Sequence, residues 1–398
     1  LEEEDKPMTT AESLLDKVKE ITPILRGHAE EAEKARRLSR PVVDAMLKAG
    51  LYSMSRPKAS GGLELDPVTM FRVVEEVARV DSAAGWNLQL SVAAHFLLAW
   101  LPEEGAAEIL AGQREIILGT SFTPKGQAIP VEGGYRVTGQ WPFVSGAHDC
   151  SWFLFLPFIM DGDQPRHNDQ GVPIQRFIWL PAADASIVDT WYTLGMCGTG
   201  SHDVAVSDLF VPERHTAALA PLERPAKAYQ GPLYRLTLWP PVALLAPPAL
   251  GVGRAAIDDL LELARIKTPT FAGSTLRERQ VVQRQVAEAE ATLGAGRAFL
   301  FQTFRENWEA AVQGAAITLD RKWKMQLATT HANRAAAKAV DLVHDAVGAS
   351  GIRNQYRFQR YFRDAHTMTQ HAASSASRYE SCGALMLGVE SDWPFFPL

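Results

Sequence analysis

Residues 131–139 read Val131-Glu132-Gly133-Gly134-Tyr135-Arg136-Val137-Thr138-Gly139, a Gly-Gly turn followed by residues of alternating character. Alternation with a period of two marks a strand with one buried face, and the paired glycines supply the turn that starts it. Further on, Ser151–Met160 (SWFLFLPFIM) and Gln175–Leu180 (QRFIWL) are rich in aromatic and β-branched residues. Prolines and glycines punctuate these runs every 8 to 15 residues. Together they predict a small antiparallel β domain between Ile116 and about Pro212.

On both sides the period changes to that of a helix. Ala11–Ala49 and Pro67–Arg79 (PVTMFRVVEEVAR) mix charged and apolar residues at helical spacing, and Asp66-Pro67 has the form of an N-cap followed by proline at the first helical position. Ser82–Leu101 is nearly all apolar and predicts a helix buried on most sides. Helical patterns return near Leu244, run long over Arg277–Phe304 and Leu319–Val347, break at Gly348–Gln355 (GASGIRNQ), and leave room for one last helix. The fold class is therefore α+β and mostly α: an N-terminal helical domain over 1–117, a middle antiparallel β domain over 118–225 and a C-terminal helical bundle over 226–398.

Composition excludes several function classes. The 398 residues are 46% apolar and 22% charged, as in ordinary globular chains, and the net charge of −6 argues against a general nucleic-acid binder. Three scattered cysteines, Cys150, Cys197 and Cys382, form no CxxC pair, so neither a disulfide framework nor a zinc site is expected, and a cytoplasmic location fits. The opening Leu1–Thr10 is acidic and lacks the apolar core of a signal peptide. The greasiest stretch, Trp239–Val252, is about 14 residues with four prolines, short of a membrane span and expected to be buried core or a cofactor-side segment. Gly251-Val252-Gly253 superficially matches a dinucleotide fingerprint but lacks the preceding strand, so close helix packing explains it better. Asp341, His344 and Asp345 share a helix face without metal-ligand spacing, and no GxSxG elbow is present.

Several segments together resemble the acyl-CoA dehydrogenase family. Ala49-Gly50-Leu51 with Pro57 and Ser60-Gly61-Gly62, Gly119–Gly126 (GTSFTPKG), Tyr135–Gly146 (YRVTGQWPFVSG), Phe210-Val211-Pro212, Gly251–Ala264 and Phe362-Arg363-Asp364-Ala365 follow in the family's order. The resemblance covers about 350 residues and implies a C-terminal four-helix bundle and a homotetramer in which neighbouring chains complete the flavin site. The chain departs where a dehydrogenase keeps its base. That register gives Ala372, and the alternative location within Trp239–Gly253 contains no Asp or Glu. A general base must reach the proton it abstracts, and neither position supplies one.

The sequence is more similar to the flavin-dependent monooxygenases built on the same fold. Trp141–Gly146 (WPFVSG), Trp191 with Gly195–Ser201 (GMCGTGS), and Arg363-Asp364 through His371 carry that likeness, although Cys197 stands where the family often has Arg. It implies an oxygenase component that takes reduced flavin from a separate reductase and forms a C4a-hydroperoxide with O2 to oxygenate a small aromatic or heteroaromatic substrate. By the same resemblance Ser145 faces flavin N5, and Phe143, two residues earlier on an extended strand, shares its face. Ser121, on the adjoining strand, reaches the pyrimidine edge. Trp191, Ser201 and Ser350 complete the flavin contacts, and His95 and His371 are the catalytic histidines. An unperturbed histidine pKa near 6.5 suits proton transfer at neutral pH. Trp86, Phe96 and Trp100, near His95, read as core. The pyrophosphate-binding Arg of the dehydrogenases falls at Thr268, so FMN, as FMNH2, is expected, with FAD the alternative. Two other readings stand beside this one: an acyl-CoA dehydrogenase-like dehydrogenase or oxidase with a relocated base, and a non-enzymatic scaffold.

Overall fold

The computed structural model describes residues 11–111, 115–220 and 224–398. The acidic segment Leu1–Thr10 lies outside them. Five helices come first: α1 (Ala11–Ala35), α2 (Arg40–Ala49), α3 (Pro67–Val80), α4 (Ser82–Leu97) and α5 (Glu103–Leu110). Asp66 caps α3 as its sequence predicts, accepting the Thr69 N–H at 3.0 Å, with Pro67 at the first position where its missing N–H costs nothing. Asp81 caps α4 through the Ala84 N–H at 2.8 Å. Nearly every residue of α4 is buried. This follows from a helix that is apolar all round and is wrapped by α3, the sheets and the C-terminal helices.

The middle region holds β1 (Leu118–Ser121), β2 (Gln127–Val131), β3 (Gly134–Val144), β4 (Trp152–Phe155), β5 (Phe158–Asp161), β6 (Gln164–Pro165), β7 (Arg176–Pro181), β8 (Ser186–Val188), β9 (His202–Pro212) and β10 (Thr216–Ala218). They form two sheets, ordered β1-β4-β7-β10 and β6-β5-β2-β3-β9-β8. The expectation of a purely antiparallel domain needs correction, because β1 pairs with β4 and β2 with β5 in parallel. Local alternation carries no information on the direction of a partner brought in from a distance. A core of its own lies within this region. Trp141 and Phe155 stack with centroids 4.3 Å apart, beside buried Val137, Ile178, Leu180 and Val204.

Two short helices, α6 (Pro232–Arg235) and α7 (Trp239–Ala243), lead into α8 (Ala246–Ile266), α9 (Gln280–Val312), α10 (Leu319–Val347), α11 (Phe358–Met368) and α12 (Ser377–Met386). The single last helix expected from sequence is two, α11 and α12, separated by the bend 369–376. The proline-rich run is core: the helical stretch Trp239–Ile266 is long and apolar enough to cross a membrane, yet 89% of its apolar window is buried within the fold. Gly251 is there for packing. A Cβ at that position would lie 2.3 Å from the Glu75 carbonyl of α3, so the close crossing of α3 and α8 excludes a side chain. All three cysteines are free.

Candidate active site

The site is assembled from α4, the end of β3, the loop 189–201 and the bend 369–376. Trp86 of α4 donates its indole N–H to the Ser145 hydroxyl at 3.2 Å. Ser145 lies 2.6 Å from the Ser201 hydroxyl, and Ser201 lies 2.6 Å from that of Thr199. Thr199 donates to the Met196 carbonyl at 2.8 Å. Each hydroxyl has one proton, and this last bond fixes the direction of all the others. Thr199 has used its proton, so Ser201 donates to Thr199 and Ser145 donates to Ser201. Ser145 thus accepts from Trp86, gives its proton away, and retains one lone pair. A donor-bearing ligand meets an acceptor there; an acceptor-bearing ligand meets no proton.

The loop behind this chain is held from three sides. Arg36 pairs with Asp189 through two bonds and lies 3.9 Å from the Tyr192 ring centroid. Arg363 donates to the Leu194 carbonyl and to Glu33. Asp364 accepts the Met196 N–H and the Ser82 hydroxyl, both at 2.6 Å. Burial pushes the Asp364 pKa up, while these two donors oppose the rise. At Gly195 a Cβ would lie 2.3 Å from the Arg363 carbonyl, so the loop meets α11 backbone to backbone.

His371 sits in the bend after α11, at the other side of Trp86. The two rings meet edge to face with centroids 5.9 Å apart. The residue is exposed, yet enough protein surrounds the ring that desolvation pushes its pKa down to about 4. The Ala373 N–H donates to Nδ1 at 3.2 Å, so the neutral ring carries its proton on Nε2. The expectation of an unperturbed pKa near 6.5 is corrected accordingly.

The structure joins Ser145, Ser201 and His371 through Trp86. It also joins Phe143 to Trp191, edge to face at 6.2 Å, and Trp191 donates its N–H to the Met196 carbonyl at 3.0 Å. The shared face expected of Phe143 and Ser145 is not that of a regular strand. Between Trp141 and Val144 the register against β9 shifts by one residue, and Phe143 has φ of +64°. A bulge breaks the two-residue alternation, and Phe143 is left 63% exposed while Ser145 is buried.

Three expected residues are not bonded into this chain of hydroxyls. Ser121 is on β1, in the four-stranded sheet, so its strand does not adjoin β3 by hydrogen bonds; its hydroxyl accepts the Thr123 N–H at 3.4 Å. His95 is nine residues from Trp86 on α4, which at 100° per residue places it on the opposite side. Its Nδ1 lies 2.9 Å from the Ser91 carbonyl, its Nε2 is sealed without a partner, and burial lowers its pKa to about 4. Ser350 accepts a bond from the Lys267 ammonium at 2.6 Å, in the turn after α10. Trp86, read from sequence as core, is the residue that ties the site together. The available signal was its indole N–H, which in a buried helix has to find an acceptor.

Comparison with known proteins identifies the family. Residues 9–113 match the acyl-CoA dehydrogenase N-terminal domain and 243–376 the acyl-CoA dehydrogenase C-terminal domain. An indole-3-acetate monooxygenase of Pseudomonas putida is 31% identical over 95% of this chain and 93% of its own. The chain belongs to the flavin-dependent monooxygenases of the acyl-CoA dehydrogenase fold. Among solved structures, the 3-HSA hydroxylase of Rhodococcus sp. RHA1 superposes with a TM-score of 0.88 at 22% identity, covering 97% of this chain and 99% of that one. XiaF from Streptomyces, in complex with FADH2 and glycerol, gives 0.87 at 24% identity, covering 96% and 97%. Membership makes the protein a flavin enzyme. The residues above fit the group: an acceptor hydroxyl at Ser145, aromatic rings at Phe143 and Trp191, and His371 beside Trp86.

Proposed function

We propose that the protein is the oxygenase component of a two-component system, using O2 and FMNH2 from a separate reductase to oxygenate a small aromatic or heteroaromatic compound in the cytoplasm. When bound, the flavin supplies the oxygen chemistry, through its C4a-hydroperoxide. The chain supplies orientation, exclusion of water and control of protons. The direction of the Ser145 hydroxyl carries this reading. Its free lone pair suits the N5–H of a reduced flavin and offers nothing to the bare N5 of an oxidised one. Ser201 and Thr199 keep that direction by occupying the Ser145 proton.

Phe143 and Trp191 pack against the flavin, and Ser121 takes its pyrimidine edge. His371, neutral and with its proton on Nε2, donates toward the oxygen being transferred or toward a phenolic or indolic substrate group. His95 acts indirectly, by holding the α4 that carries Trp86. The protein works as a homotetramer, with Ser350 facing a neighbouring chain's flavin. The exposed side chains of Ile266, Phe271 and Ile352, close in sequence to the Lys267–Ser350 bond, support such a neighbour. Thr268 stands at the register where the dehydrogenases keep their pyrophosphate-binding Arg, and the loss of that cation supports FMN over FAD. The dehydrogenase reading finds no base, since Ala372 occupies the register and the Ser145 partners among the described residues are Trp86 and Ser201.

The test is anaerobic titration with reduced and with oxidised FMN. Reduced FMN should bind tighter by about tenfold to a hundredfold, the scale of one hydrogen bond in a dry site, and Ser145→Ala should erase most of the difference. Equal affinity of wild-type protein for both redox states would contradict the reading.

A further inference from the structure

The bend that carries His371 hangs from a polar stripe in the middle of α10. Gln326, Thr330 and Asn333 lie at successive turns of that helix and are fully buried, where apolar residues would be the default. Buried amides of this kind need partners, and Gln326 has them on both sides. Its Nε2 donates to the Ala373 carbonyl at 2.8 Å and lies 3.2 Å from the Thr330 hydroxyl. Its Oε1 accepts the indole N–H of Trp393 at 3.1 Å. An indole nitrogen is a donor only, so Trp393 settles which end of the amide faces it. The amide nitrogen is then turned toward Ala373.

Ala373 is committed at both backbone groups. Its carbonyl takes the Gln326 bond, and its N–H donates to His371 Nδ1. Asn333 adds a weaker tie, with Nδ2 3.4 Å from the hydroxyl of buried Ser374. Trp393 itself is clamped by Arg378, whose guanidinium lies 3.9 Å from its ring centroid. A continuous chain of contacts thus runs from Trp393 through Gln326 and Ala373 to the imidazole.

We infer that Gln326 and Trp393 are positioning residues for His371: they hold Ala373 so that its N–H occupies Nδ1 and keeps the ring proton on Nε2. The inference rests on the reading of His371 as a residue of the active site, but its geometry can be tested without flavin or substrate. Neither residue bonds to His371, Trp86 or Ser145 in the contacts described above, so their effect on the ring passes through Ala373. Asn333 and Thr330 stabilise the bend and its support without setting the tautomer.

Diethylpyrocarbonate acylates a neutral imidazole at its free lone pair, which in His371 is the Nδ1 that Ala373 covers. The experiment follows carbethoxylation of each histidine at neutral pH by peptide mass spectrometry, in wild-type protein, Trp393→Phe and Gln326→Leu. Trp393→Phe keeps the ring and removes only the N–H. His371 should react slowly in wild-type protein and about fivefold to tenfold faster in both variants, the scale of one lost hydrogen bond, while buried His95 and His202 stay unreactive. Unchanged His371 rates in both variants would overturn the inference. Parallel acceleration at His95 and His202 would overturn it as well, by showing a general loosening of the fold. Loss of oxygenation in His371→Ala with no change of reactivity in the other two variants would leave the proposed function standing and reject only the positioning chain.

Discussion

His95 within α4 and His371 beside Trp86 of that helix have the same low pKa and different surroundings. Burial brings both His95 and His371 to about 4, so both are neutral at pH 7. His95 is fully enclosed, with one nitrogen bonded to the Ser91 carbonyl and the other sealed away from any partner. His371 reaches solvent, touches Trp86 with its ring edge, and has only Nδ1 occupied. A perturbed pKa marks desolvation in both places. What distinguishes a reactive group from an interior one is a free polar atom that a ligand can approach.

Substitution at His371 should produce the largest effect. His371→Ala is expected to leave reduced-flavin binding intact and to lower product formation by about 10²–10⁴-fold, the usual worth of a positioned proton donor or acceptor. The wild-type pH profile should also be flat through neutrality and lose activity only as pH approaches about 4, where the ring takes a second proton. Steady-state rates across pH, with released H2O2 measured alongside, check both points. A limb near pH 6.5 that disappears in His371→Ala would mean that the ring is better solvated than a pKa of about 4 requires.

At His95 the expected effect is on stability. The folded pKa lies below the unfolded value near 6.5. As pH falls below 6.5 the unfolded chain takes up a proton that the folded chain refuses. Stability therefore drops through this window until about pH 4, by roughly 3 kcal/mol at most. His95→Gln should reduce the pH dependence of urea midpoints between 6.5 and 4, leaving the share of the other lowered histidines, and leave flavin affinity unchanged. A large loss of flavin affinity in this variant would bring His95 back into the candidate site.

The smallest effect is expected at the edge of the site. Thr268→Arg should raise affinity for reduced FAD relative to reduced FMN by about tenfold, as one charge-assisted bond would. Anaerobic competition between the two flavins measures it. No change in the ratio would separate flavin choice from this position.

Most of the architecture was legible because local signals agree with it. Asp66-Pro67 opens α3, and α10 spans the same Leu319–Val347 that its periodicity marks. The parallel pairings of β1 and β2 were not legible, since they join segments across the chain. The site was readable in part. Ser145, Ser201 and His371 stand in motifs, but Trp86 hides in an apolar helix where only its N–H sets it apart. Phase failed at Phe143 because a one-residue bulge leaves no mark in a Trp-Pro-Phe run. The support of His371 by Gln326 and Trp393 was invisible, because it joins three distant segments through single hydrogen bonds.

On the proposed function, the protein protects a reduced flavin while it reacts with O2. Rapid mixing of protein loaded anaerobically with FMNH2 against oxygenated buffer tests it directly, followed by absorbance. The account predicts an intermediate with hydroperoxyflavin absorbance that persists well beyond its lifetime in free solution and is shortened in Ser145→Ala. Direct one-step return to oxidised flavin, with stoichiometric H2O2 and no intermediate in the wild-type protein, would contradict it.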